Sequence, residues 1–320
     1  MIRVGLISNL RSQRNKRNMP AMREVVRAHP DVLHAELDHV EGTAPVLRDF
    51  ARREVGVVAV SGGDGTVQKV MTELLNGGGF GQQPRLAVLP SGMTNLIAAD
   101  VGLRGNPARS LARLCAAAAA SAPTGEALPR PVISMQRIPT EAPVHGMFLG
   151  TAAFYRGIKL ARDRVHPLGA EQTLAAAMGL GLALLRLVAG RGDGNALMRA
   201  ERMAIGIGGG KAVTRDYLLF MATTLQRLIL GVMPFWGAGD GGLRMTTVDF
   251  PPQRFCRAIL PILRGRPREW MEAGGYRSGR ASECRLTLNC PIVFDGEFFT
   301  PEPETPVVLR ADREIAFWRC

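Results

Sequence analysis

Lysine is nearly missing from this chain. It occurs only at positions 16, 69, 159 and 211, so 36 of the 40 basic residues are Arg, set against 28 acidic ones for a formal charge of +12. An arginine excess arises from coding bias as readily as from a nucleic-acid role, and neither a recognition-helix signature nor an aromatic stacking motif accompanies it. No nucleic-acid partner is expected. The charge does suit phosphates and anionic surfaces. Cysteine is scarce and odd in number, with five residues and no CxxC pair. With only five His and no HExxH, that excludes a disulfide framework and an ordinary zinc site. Long apolar runs are lacking too. The longest uncharged stretch of note, Gln172 to Leu185, has 14 residues, whereas a spanning helix needs about 20. The first residues, MIRVGLISNLRSQRNKR, place a short apolar run ahead of their charges, the wrong order for a secretory signal. The expectation is a reduced, cytoplasmic protein that is not integral to a membrane.

What is present is a globular composition. The chain has 320 residues, 46% of them hydrophobic, with 37 Gly and 21 Pro, long for one domain and comfortable for two. Strand-like and helix-like runs alternate in the first 120 residues. Strands are expected at Ile2–Ser8, Val32–Leu37, Val55–Val60 and Arg85–Leu89, and helices at Met19–His29, Ala44–Arg53, Thr66–Asn76, Leu96–Asp100 and Pro107–Ser121. In the third helix Val67, Val70, Met71, Leu74 and Leu75 share one face. Strands that are apolar throughout indicate a parallel sheet covered on both faces. Ala122–Pro131 (APTGEALPRP) reads as a linker. Beyond it, strand-like runs at Val132–Arg137, Gly146–Ala152, Arg202–Ile207, Tyr217–Thr223, Leu243–Val248, Arg285–Leu288 and Val307–Arg310 follow one another, and helices are few apart from Ala161–Val188 and Gln253–Leu263. That rhythm predicts a mostly antiparallel β domain.

Three motifs carry chemistry. Ser61-Gly62-Gly63-Asp64-Gly65-Thr66 follows an apolar strand and opens an amphipathic helix. Glycines there let backbone N–H groups approach a phosphate, and the helix N-terminus favours negative charge. An aspartate in such a loop suits a metal or a proton acceptor; the plain alternative is a glycine turn with an Asp cap. Leu89-Pro90-Ser91-Gly92-Met93-Thr94-Asn95 follows the next strand, and a helix cap by Thr94 or Asn95 explains it equally well. Near the end, Asp295-Gly296-Glu297 sets two carboxylates around one glycine, which suits a shared metal, a split between base and ligand, or a plain turn. An ordinary P-loop is absent, since Gly210-Lys211 is followed by Ala212.

The ordered set GGDGT, then P-x-G-x-x-N, then a C-terminal DGE resembles the diacylglycerol kinase catalytic family, which includes soluble bacterial lipid kinases, sphingosine kinases and ceramide kinases. The resemblance implies an α/β plus β fold: a Rossmann-like parallel-sheet nucleotide domain (1–125, with 306–320 returning to it) and a mostly antiparallel β-sandwich domain (126–305), with the active site in the cleft between them. It implies ATP and Mg2+ and a lipid acceptor of diacylglycerol, ceramide or sphingoid type. Gly62, Gly63, Gly65 and Thr66, with Ser61 ahead of them, match the nucleotide-phosphate loop, and Asp64 a catalytic or metal-linked carboxylate. Gly92 and Asn95 match the second nucleotide loop, with Thr94 as a substitute hydroxyl. Asn9 matches the start of the first loop, where Arg11, Arg14, Lys16 and Arg17 offer cations to phosphates or simply a solvated basic loop. Asp295 and Glu297 match carboxylates serving as base and metal-network partners, and Asp240 (Gly239-Asp240-Gly241-Gly242-Leu243) an aspartate that holds a structural magnesium.

This chain departs from the family at Met93 (usually Thr), Leu96 (usually Asp) and Lys69 (usually Glu). Leu174–Leu187 suits a lipid-pocket lining, an interfacial segment or an ordinary buried helix. Arg264, Arg266, Arg268 and Trp270 suit an anionic membrane surface or a solvated turn. The resemblance therefore places the protein peripherally on the inner face of a membrane, with a homodimer left open. The rival readings are an NAD kinase-like enzyme and a non-catalytic lipid- or nucleotide-binding protein.

Overall fold

The computed structural model describes residues 2–120, 124–165, 197–228 and 231–320. The predicted helix at Ala161–Val188 lies outside these residues from 166 onward, as does Leu174–Leu187. The chain divides into two compact units. The first comprises Met1–Val132, Val144–Gly146 and Arg313–Cys320, the second Ile133–Pro143 and Met147–Asp312.

In the first unit β1 (Val4–Asn9), α1 (Asn15–Ala28), β2 (Leu33–Leu37), α2 (Thr43–Arg52), β3 (Val57–Gly62), α3 (Asp64–Leu75), β4 (Arg85–Pro90), α4 (Leu96–Val101) and α5 (Pro107–Ala119) follow in order. β1 pairs in parallel with β2 on one side and β3 on the other, and β3 pairs in parallel with β4. β3 is buried along its whole length, so hydrophobic residues are required on both faces rather than alternately. Val4, Leu6, Val57, Ala59, Ala87 and Leu89 pack with Met19 and Met22 of α1 and with Leu111, Leu114 and Ala118 of α5. On α3, Val67, Val70, Met71 and Leu74 are buried.

The segment predicted as a linker is largely strand: β5 runs over Glu126–Gln136 despite Pro129 and Pro131. β6 (Val144–Gly146) belongs to the first unit. The buried His145 donates its backbone N–H to Thr72 Oγ1 at 3.0 Å, and its Nε2 lies 3.1 Å from Asn76 Oδ1.

The second unit holds β7 (Phe148–Ala152), α6 (Ala153–Val165), β8 (Glu201–Ile207), β9 (Val213–Thr223), β10 (Leu243–Asp249), α7 (Phe255–Leu263), α8 (Glu269–Ala273), β11 (Tyr276–Ala281), β12 (Glu283–Leu288), β13 (Ile292–Phe294) and β14 (Glu297–Phe299). The last strand, β15 (Val307–Arg319), gives its first residues to this unit and its end to the first, where Phe317 pairs in parallel with Leu86 of β4. The pairings of β7 with β9, β8 with β9, β9 with β10, β10 with β11, β8 with β12, β12 with β15 and β13 with β7 and β14 are all antiparallel. α7 and α8 rest on a core of Leu218, Val248, Ala258, Ile262, Met271 and Tyr276.

Candidate active site

Two glycine loops leave the carboxyl ends of β3 and β4, where ligands of open parallel sheets bind. Their glycines are dictated by close approach. A Cβ on Gly62 would lie 2.5 Å from Thr66 Cβ, and one on Gly92 would lie 2.4 Å from Gly63 Cα. The two loops thus touch backbone to backbone. Gly63 caps α3 in an extended conformation (φ −84°, ψ 177°), and its carbonyl accepts from the N–H groups of Thr66 and Val67. The N–H groups before these have no acceptor within the helix and carry its positive end.

Beneath the loops lies a buried polar network. Asn15 and Ser61 are fully buried. Asn15 donates to the carbonyls of Asn9 (2.7 Å) and Ser61 (2.9 Å), and accepts from Ser61 Oγ at 2.7 Å. Ser61 Oγ also meets Ser91 Oγ at 2.8 Å, and Asn9 Nδ2 donates to Thr66 Oγ1 at 2.8 Å. One amide therefore ties the ends of β1 and β3 to the start of α1, and Ser61 extends the tie to β4. Asn15 and Ser91 were not singled out from the sequence, because an Asn ahead of a helix has many surface uses. Replacing Asn15 by Leu strips partners from several buried groups. It is expected to cost about 2 kcal/mol or more, read as a lower thermal midpoint of the first unit.

Asp64 stands at the first position of α3, yet its carboxylate serves another helix. It accepts from Thr94 Oγ1 (2.7 Å), Leu96 N (3.0 Å) and Ile97 N (2.9 Å). α4 needs this partner because its own cap residue, Asn95, is in the left-handed region (φ 51°) and makes no side-chain cap. The Asn95 amide turns back to Gly92 instead, accepting from its N–H at 2.7 Å and donating to its carbonyl at 2.8 Å. Burial pushes the Asp64 carboxyl above its ordinary range, and the hydrogen bonds from Ile97, Thr94 and Leu96 draw it part of the way back. Asp64 is thus a clasp between the two loops. The departures are also placed: Leu96 contributes its backbone N–H to this clasp, Met93 is exposed, and Lys69 pairs with Glu73 at 2.8 Å.

The basic loop after β1 carries exposed Arg11, Arg14, Lys16 and Arg17. Arg11 Nη2 lies 3.0 Å from His39 Nε2, and its N–H donates to Asn9 Oδ1. The Arg14 backbone N–H donates to Ser91 O at 3.2 Å and its guanidinium to Pro90 O at 3.4 Å, so this loop leans on the end of β4.

In the second unit Asp295 and Gly296 form the two-residue turn between β13 and β14. Both have positive φ (47° and 89°), and Phe294 pairs with Glu297 across them. Positive φ at both central positions is the Asp-Gly hairpin turn that matches strand twist. The two carboxylates then diverge. Asp295 is buried and accepts from the N–H groups of Met147 (2.8 Å) and Phe148 (2.9 Å). Glu297 is exposed, and among the described residues it has no hydrogen bond or ion pair. Beside it Phe298 stacks under the Arg162 guanidinium at 4.3 Å and meets Tyr155 edge-on at 5.2 Å, while Arg162 donates to the Gly296 carbonyl. Asp240 is exposed in the loop before β10, and no group of three or more His, Cys, Asp or Glu side chains comes together among the described residues.

Residues 3–127 match the family model of the diacylglycerol kinase catalytic domain. This stretch belongs to that family. It contains both glycine loops, the Asn15 network and the Asp64 clasp; Asp240, Asp295 and Glu297 lie outside it. Solved structures extend the fold likeness across the chain. A putative diacylglycerol kinase from Bacillus anthracis str. Sterne superposes with a TM-score of 0.66 at 16% identity, covering 98% of this chain and 97% of that one. A second structure described in the same terms from that organism gives 0.67 at 16% identity over 99% and 96%. At such identity the likeness speaks for the fold. Among curated proteins, none matches the sequence.

Proposed function

We propose that the protein transfers the γ-phosphoryl group of ATP to a hydroxyl of a membrane lipid of diacylglycerol, ceramide or sphingoid type. The observation that carries this is the coincidence of the diacylglycerol kinase catalytic match with two glycine loops locked together at the sheet edge. In this reading the N–H groups at the start of α3 and the Gly92–Asn95 loop receive the nucleotide phosphates. Asn9, Ser61 and Thr66 hold the loop in shape, and Arg11 and Arg14 offset phosphate charge. Asp64 and Thr94 keep the two loops in register. Glu297 takes the proton of the acceptor hydroxyl as its oxygen bonds to phosphorus and the bridge to the β-phosphate breaks, releasing ADP. Asp295 is a positioning residue that holds the turn presenting Glu297.

Among the described residues the donor set does not fit a resident Mg2+: Asp64 is committed to Thr94, Leu96 and Ile97, and Asp240 has no cluster of carboxylates around it. Such an ion enters with the nucleotide as part of the substrate. Among the described residues no helix is long and apolar enough to cross a membrane; the lipid acceptor is what places the proposed enzyme at the inner surface of a bilayer. The commitment of Asp64 is the one observation that favours a non-catalytic nucleotide-binding protein.

The test is transfer of labelled γ-phosphate from Mg-ATP to diacylglycerol, ceramide, sphingosine and NAD in mixed micelles. Label on one lipid is the expected result and also names the acceptor. Label on NAD alone moves the protein to the NAD kinase reading. ATP binding with no labelled acceptor supports the non-catalytic one.

A further inference from the structure

α7 has two faces of opposite character. Ala258 and Ile262, one turn apart, are buried in the core of the second unit. On the other side Arg257, Leu260 and Arg264 recur at helical spacing and are exposed. Leu260, at 53%, is the most exposed large hydrophobic side chain among the described residues, and it sits between the two arginines. The turn that follows adds exposed Arg266 and Arg268 and leads into α8. Between the helices lies an open groove of about 760 Å³, whose lining joins the apolar Leu260, Pro261, Pro267 and Trp270 and Cys256 to two arginines, Arg257 and Arg268, and one carboxylate, Glu269. Trp270 is held in place edge-on against Tyr276 (5.9 Å) and under the Arg254 guanidinium (5.6 Å). From 254 to 273 there are five arginines against Glu269 and Glu272.

We propose that this face of α7, with its groove and the following arginine turn, docks on an anionic bilayer. The proposal rests on the reading that the acceptor is a membrane lipid. Its charge fits that occupant: arginines side by side without an equal number of carboxylates repel one another in a folded monomer, and anionic headgroups relieve this. Its apolar part fits as well. An exposed Leu flanked by long basic side chains, beside a fixed Trp, is the pattern of an interfacial helix whose arginines reach headgroups while the Leu enters the acyl boundary. A nucleic acid would leave Leu260 in water, and a protein partner would ask for carboxylates opposite five arginines.

The experiment uses the full chain and vesicles of phosphatidylcholine, alone or mixed with phosphatidylglycerol. Cys115, Cys284 and Cys290 are buried while Cys256 and Cys320 are exposed, so in a Cys320→Ser background an environment-sensitive dye reports from Cys256 on the groove. The wild type is expected to partition onto mixed vesicles, with a dye blue shift, and not onto neutral ones. Each arginine at such a surface contributes about fivefold, so Arg257→Gln with Arg264→Gln is expected to weaken partitioning about thirtyfold. Leu260→Ser is expected to weaken it about tenfold. All three positions are exposed, and unchanged circular-dichroism melts will show that the variants fold. Equal partitioning of wild type and variants, binding without a dye shift, or binding to neutral vesicles overturns the proposal. Transfer to a short-chain diacylglycerol in micelles is measured in parallel. Transfer without vesicle binding sinks the docking face alone, whereas binding without transfer to any lipid leaves the face standing and sinks the kinase reading.

Discussion

Glu297→Gln is expected to lower the rate of phosphoryl transfer by about a hundred- to ten-thousandfold, the usual contribution of a positioned general base, with nucleotide affinity and thermal stability unchanged. The expectation follows from the turn. Glu297 is exposed and without a partner among the described residues, so the fold loses nothing when its charge is removed. Asp295→Asn should behave in the opposite way. The Asp295 carboxylate satisfies two buried N–H groups at once, those of Met147 and Phe148. An amide keeps one acceptor oxygen and sets its own NH2 against the other donor. That leaves a buried group unpaired and costs about 2–3 kcal/mol, a fall of roughly 5–10 °C in the melting midpoint. Steady-state kinetics beside calorimetry separate the two. If Asp295→Asn melts normally while Glu297→Gln keeps full turnover, the roles are reversed from those assigned here.

Gly92→Ala is the second change with a large expected effect. Its new methyl would lie 2.4 Å from Gly63 Cα and 3.2 Å from Asn95 Oδ1. Both neighbours are fixed, Gly63 by the start of α3 and Asn95 by its paired bonds to Gly92, so neither yields cheaply. Overpacking of this kind costs about 1–3 kcal/mol. Here the strain falls on the contact that sets the spacing of the loops, so ATP affinity is expected to fall more than tenfold, measured by calorimetric titration. Gly81→Ala is the control, since a Cβ there meets nothing within 4 Å, and it should bind ATP normally. A Gly92→Ala protein with normal affinity would mean that the nucleotide does not use this pair of loops.

Much of the first unit was legible because its signals are local. Apolar runs gave β1, β3 and β4 to within a few residues, and the 3-1-3-1 spacing on α3 named Val67, Val70, Met71 and Leu74, which are buried, and Leu75, which is half-buried, while missing the buried Gln68. The second half of β5 falls in the predicted run Val132–Arg137, but its first half, Glu126–Pro131, was hidden because Pro129, Pro131 and the small residues before them look like a linker. Pairing with other strands overrides that composition, as it does for β11, whose sequence Tyr-Arg-Ser-Gly-Arg-Ala is too polar to be read as a strand.

The candidate site shows the same division. The glycines and carboxylates of the two loops stood out as types in a pattern. Their partners did not. Asp64 reads locally as a cap for its own helix or as a free carboxylate, whereas its actual partners are Thr94, Leu96 and Ile97, some thirty residues on. Likewise Asp-Gly-Glu reads as two acids that share a metal, split base and ligand roles or form a plain turn, and only the register of β13 against β14 and the position of Met147 bury Asp295 and leave Glu297 exposed. Asn15 was invisible for a related reason: nothing near it in sequence shows that it lies beneath the loops.

The most direct test of the central claim, that the paired loops hold the nucleotide phosphates, is backbone hydrogen exchange on the full chain with and without Mg-ATP. The predicted result is slowed exchange in peptides covering Ser61–Thr66 and Gly92–Ile97, with the Arg11–Asn15 segment following. ATP that binds without protecting either loop, or that protects only segments elsewhere, would contradict the account.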